Sequence, residues 1–78
     1  MRIEEFLIKF ESCFDGIIPG SILPETQFRN LAEWDSLAAL TLIAMIDSDY
    51  EIAISASELK SCDKVYELFD LIKMKKSK

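Results

Sequence analysis

Apolar residues recur along the first part of the chain at the spacing of one helix face. Ile3, Phe6, Leu7, Phe10 and Phe14 follow an i, i+3, i+4, i+7 pattern, and Arg2, Glu4, Glu5, Lys9, Glu11 and Ser12 fill the other side. This spacing predicts a helix over 2–14 whose aromatic stripe is core. Asp15-Gly16 should end it, with Gly16 as the left-handed cap. From Ile17 to Asp35 no period holds, and Pro19, Gly20 and Pro24 interrupt the chain. So long a loop calls for an explanation in a compact domain. Its apolar residues Ile17, Ile18, Ile22, Leu23, Phe28 and Leu31 suggest a loop pinned onto the core, with a short turn near 25–31.

The pattern then changes character. Leu37 to Ile46 contains no charge, so a helix over 36–49 is apolar nearly all round. Leu42, Ile46 and Tyr50, with Ile43, form a plausible core stripe. Leu37, Leu40, Ala44 and Met45 are then left toward the surface, either packed under the long loop or exposed as a patch for another protein. Tyr50 to Ile54 alternates like a strand, but a lone strand has no partner, so it reads as an extended connector. Ser55 and Glu58 have capping-box spacing and open a short helix over 56–61. Asp63 looks like the cap of a last helix over 64–74, with Val65, Leu68, Phe69 and Ile72 as its apolar face. A basic tail over 75–78 follows, read as frayed and solvated. The expected fold is all-α: a small four-helix bundle of three longer helices and a short third one. A long loop joins helices 1 and 2, and one domain spans 1–78.

Composition narrows the function. Nine basic against fourteen acidic residues give a net charge of −5, which argues against a nucleic-acid surface. The opening residues lack the apolar run of a signal peptide, and the uncharged stretch is too short to span a bilayer. A cytoplasmic monomer without membrane insertion is expected. Cys13 and Cys62 stand alone and no histidine is present. That removes a zinc site and Ser-His or Cys-His catalysis, and leaves two reduced, partly buried thiols. The acids form no evident pair for acid–base work, so an enzyme is not expected.

One place retains chemical potential. Asp35-Ser36 opens the apolar helix, where side-chain oxygens can accept bonds from unpaired first-turn N–H groups. Ser36 on its own reads as a cap. It also sits at the positive end of the helix dipole, where an attached phosphate would find N–H donors.

The chain resembles the acyl carrier protein family over nearly its whole length. Asp35-Ser36-Leu37 matches the family's Asp-Ser-Leu signature. Phe28, Leu31, Leu42, Ile43, Ile46, Tyr50, Ile54 and Val65 support the match. The resemblance implies that Ser36 carries 4′-phosphopantetheine, attached from coenzyme A by a phosphopantetheinyl transferase. The thiol at the end of that arm would hold an acyl or aminoacyl group as a thioester for enzymes of one pathway. It implies that Asp35 supports attachment, positioning the transferase's metal and coenzyme A, and that Leu37 contacts partner enzymes. Leu40 and Ala44 extend that apolar surface. The departures are specific. Glu33 stands where many fatty-acid carriers have Gly, and Trp34 replaces a small residue, read as a loop anchor rather than an arm contact. Ala38 and Thr41 replace acids that pair with basic partners. They point to a specialised carrier rather than the housekeeping one. The alternative from a different class is an unmodified helical adaptor that binds a partner through the apolar second helix.

Overall fold

Residues 2–14 and 16–76 are described by the structure, a computed structural model. Four α-helices are present among them: α1 (Ile3–Glu11), α2 (Ser36–Tyr50), α3 (Ala56–Lys60) and α4 (Val65–Lys76). A 3-10 turn, Phe28–Asn30, lies in the long loop where a turn was expected. No strand forms among the described residues; Gln27 and Lys64 make a single isolated bridge.

The predicted aromatic face of α1 is the centre of the molecule. Phe6 and Phe10 are wholly inaccessible and Phe14 nearly so. They pack against Leu42 and Ile46 of α2 and Val65, Leu68, Phe69 and Ile72 of α4 in one apolar cluster. Along the connector Ile52 and Ile54 point inward while Glu51, Ala53 and Ser55 face solvent, so the alternation seen in the sequence is real without a sheet.

Several boundaries differ from expectation. α1 ends at Glu11 rather than residue 14, because the chain tightens: the N–H groups of Cys13 and Phe14 donate to carbonyls three residues back. Ser12, in right-handed geometry, is the cap residue; Gly16 does have positive φ but lies beyond the helix end. Asp15, the other half of the predicted stop, lies outside the described residues. Ile18 and Leu23 are exposed, not pinned. The other four behave as expected, Ile22 and Phe28 buried and Ile17 and Leu31 packed against the core, and polar bonds add to their hold on the loop. Glu11 accepts from the N–H groups of Gly20 (2.9 Å) and Ile22 (3.3 Å). The first-turn N–H groups of Val65 and Tyr66 donate to the carbonyls of Thr26 and Pro24, which joins the loop to the start of α4.

Asp63 does not cap α4. Its carboxylate accepts from Gln27 (2.9 Å), while Glu67 accepts from the N–H groups of Asp63 and Lys64 (2.8 and 2.7 Å). The capping box of α3 forms as expected: Glu58 N–H donates to Ser55 Oγ, and Ser55 N–H to Glu58 Oε1. Lys75 and Lys76 are helical rather than a solvated tail. Lys75 lies 2.7 Å from a Glu58 oxygen and donates to Ala53 O, and Lys76 donates to Tyr50 O. Lys78, at the end of the predicted tail, lies outside the described residues.

Candidate functional site

α2 begins where an acidic cap meets a helix-compatible apolar run. Asp35, in extended backbone geometry, is the N-cap: its Oδ1 accepts from Ala38 N–H at 2.7 Å, and its carbonyl accepts from Ala39 N–H at 3.0 Å. The cap role that Ser36 could have played is therefore filled. Ser36 is the first helical residue, exposed, and its hydroxyl makes no hydrogen bond among the described residues. The N–H groups of Ser36 and Leu37 likewise have no protein partner there. The site thus presents a free hydroxyl, two free N–H donors and the positive end of a long helix.

Two grooves flank this point. The larger, of about 590 Å³, is lined by Trp34, Asp35 and Ser36, by Ala39, Leu40 and Ile43 of α2, by Ala56, Leu59 and Lys60 of α3, and by Arg29. The smaller, of about 390 Å³, lies on the loop side and includes Cys13, Glu33, Asp35, Leu37, Ala38 and Thr41. Asp35 and Ser36 meet Leu40 on the larger groove, whereas Leu37 lines the smaller one. Ala44 is exposed and lies on neither of these two grooves. Leu37 and Leu40 are 71% and 64% exposed and Ala44 is exposed, so these three are surface, whereas Met45, expected beside them, is half-buried against the core. Ala38, at a position where acids occur in the resembling family, is buried with Leu42, Ile46 and Tyr50.

Trp34 is the expected loop anchor. Its ring stands edge-on to Phe28 at 5.1 Å and tilted against Phe14 at 6.1 Å. It also forms part of the groove wall at Ser36. Arg29, Lys60, Ala56 and Leu59 went unrecognised in the sequence. Ala56, Leu59 and Lys60 reach the site from α3 and Arg29 from the Phe28–Asn30 turn, and no local sequence pattern records either approach. Arg29 is held loosely by Asp63 at 3.9 Å. The thiols do not belong to this chemistry: burial pushes both Cys13 and Cys62 above the usual thiol range, and neither is in a disulfide.

Among the described residues no helix is long and apolar enough to cross a membrane. The family described as PP-binding, phosphopantetheine attachment site, matches residues 14–72. No curated protein and no solved structure matches the chain.

Proposed function

The chain belongs to the phosphopantetheine attachment family, and from that premise we propose that Ser36 is the residue that bears its 4′-phosphopantetheine. Members of this family are carriers that a transferase modifies, not catalysts themselves. The observation that carries the assignment is the Ser36 hydroxyl: exposed, without a partner among the described residues, and at the first position of α2 beside an apolar groove. The site fits the group, because a phosphodiester on Ser36 Oγ would meet the open N–H groups of Ser36 and Leu37 and a favourable dipole.

The prosthetic group supplies a thiol on which an acyl or aminoacyl group is held as a thioester. The protein's own residues have other tasks. Ser36 Oγ would be the nucleophile in the transferase: it attacks the pantetheine-bearing phosphorus of coenzyme A, the pyrophosphate bond to that phosphorus breaks, adenosine 3′,5′-bisphosphate leaves, and the hydroxyl proton passes to a base of the transferase. Asp35 holds the helix start through one carboxylate oxygen; the other makes no hydrogen bond among the described residues and is the one available to the transferase's metal. Leu37, Leu40 and Ala44 form the exposed stripe onto which the transferase and the pathway's enzymes dock. The absence of acids in the first turn of α2 supports a specialised carrier that one pathway's enzymes recognise through apolar contact. We read it as a single domain working as a cytoplasmic monomer.

Intact mass before and after incubation with coenzyme A and a broad-specificity transferase tests the assignment. One added phosphopantetheine, mapped to Ser36 and lost in a folded Ser36→Ala variant, is expected. Labelling of that variant, or no addition to folded protein even with transferases from its own source, overturns it. The adaptor reading rests on the same exposed stripe and predicts that Ser36→Ala keeps its partners in a pull-down.

A further inference from the structure

We propose that Trp34 closes the interior of the bundle to the cargo, so that this carrier handles short acyl groups held in the open groove beside Ser36. The inference rests on Ser36 being the attachment point.

Trp34 and Ser36 line the same groove. Behind Trp34 a series of rings in mutual contact runs into the core. Trp34 contacts Phe28 at 5.1 Å, Phe28 contacts Phe10 at 5.6 Å, and Phe10 contacts Phe6 at 6.0 Å. Phe6 in turn lies 5.5 Å from Phe69 and 6.0 Å from Tyr50. Phe6, Phe10 and Phe28 are wholly inaccessible. A hydrocarbon chain entering from the groove at Trp34 would have to displace a ring from this series. Interiors packed to crystal density resist added methylenes, because neighbours are forced off their rotamers.

The groove itself also favours a short occupant. Its volume of about 590 Å³ is that of a small-molecule site, and the far end of the prosthetic group must share it with the cargo. Arg29 and Lys60 contribute charged side chains to its lining. A long apolar tail would either cover those cations, at a desolvation cost, or extend into water. A short acyl group meets Trp34, Leu40, Ile43 and Leu59 and stops before either cost arises.

The test loads the protein from acetyl-, butyryl- and octanoyl-coenzyme A with a broad-specificity transferase. Trp34 is the chain's single tryptophan, so its emission reports on the groove directly. Acetyl and butyryl loading should shift that emission. Hydroxylamine should release the octanoyl group as fast as the acetyl group, and octanoyl loading should not raise Tm. Unchanged Trp34 emission in the short-chain forms overturns the proposal. So does octanoyl release slowed about tenfold, equivalent to ~1.4 kcal/mol of shelter, with a raised Tm. Trp34→Leu, which vacates ring volume but keeps an apolar anchor, should make octanoyl release slower than acetyl release. Equal release from the folded variant overturns the role of Trp34; if Trp34→Leu does not fold, Trp34→Phe takes its place under the same criterion. Failure of every coenzyme A thioester, and of coenzyme A itself, to load folded protein removes the carrier assignment instead.

Discussion

Asp35 and Ser36 are adjacent, yet the structure divides their work. Asp35 stabilises the first turn of α2 through Ala38 N–H, while Ser36 is bonded to nothing in the described protein. Asp35→Ala should cost about 1 kcal/mol in a denaturant melt, the usual value of a lost cap. Asp35→Asn keeps a capping oxygen and should leave stability nearly unchanged. It removes the carboxylate, so loading from coenzyme A should slow markedly. Wild-type loading of Asp35→Asn would reduce Asp35 to a cap alone. Ser36→Ala should change stability by no more than about 0.5 kcal/mol, as expected at an exposed position without partners.

α2 is a helix with two apolar faces, and only one of them is core. Leu42 is inaccessible whereas Leu40 is 64% exposed. Leu42→Ala should cost ~2–5 kcal/mol through the cavity it leaves. Leu40→Glu should leave Tm almost unchanged while slowing turnover by partner enzymes; a large fall in Tm would place Leu40 in the core after all. At the ends of α3 and α4 the carboxylates matter more. The ammonium of Lys75 and the N–H of Ser55 hold the Glu58 carboxyl below the usual range, and the N–H groups of Lys64 and Asp63 do the same for Glu67. Both groups bind protons less readily folded than unfolded. Their stabilising contribution is therefore present at neutral pH and disappears as acidification protonates them below the ordinary glutamate range. Glu58→Gln and Glu67→Gln should each flatten the fall of Tm with acid, as followed by circular dichroism. These helix ends also mark where the sequence stops being legible. The faces of α1, α2 and α4 were readable because burial repeats at the helical period, and Ser55 with Glu58 was readable because a capping box is local. Glu67 was missed as the residue that closes the start of α4 because it lies inside its own helix, where an acid looks like solvated surface. The pairing of Lys75 with Glu58, and the Arg29 and Lys60 positions on the groove, exist only after the helices pack.

The whole molecule carries a net charge of −5, yet its acids are not gathered at Ser36. Arg29 and Lys60 line the larger of the two grooves that flank the serine, Glu33 lines the smaller and Asp35 both, so charges of both signs surround Ser36 rather than acids alone. Asp47, Asp49 and Glu51 lie at the far end of α2, and Asp49 is already paired with Lys9 at 3.1 Å. Long-range steering needs one sign of charge focused on the docking surface, and salt weakens it over a distance of about 10 Å at 0.1 M. A balanced site has little such field to lose, while contacts through Leu37 and Leu40 are insensitive to screening. Loading by a transferase with a basic docking face should therefore change less than about threefold in kcat/KM between low and physiological salt, since apolar docking rather than charge steering sets the rate. Thr41 is the place to restore the field, because it is exposed on α2, whereas Ala38 is buried and cannot accept an acid without damage to the core. Thr41→Glu should raise kcat/KM with that transferase at low salt and give the reaction a salt dependence that the native chain lacks. A strong salt dependence in the unaltered protein would mean that acids farther from Ser36 steer the encounter, and that charge still directs recognition in this carrier.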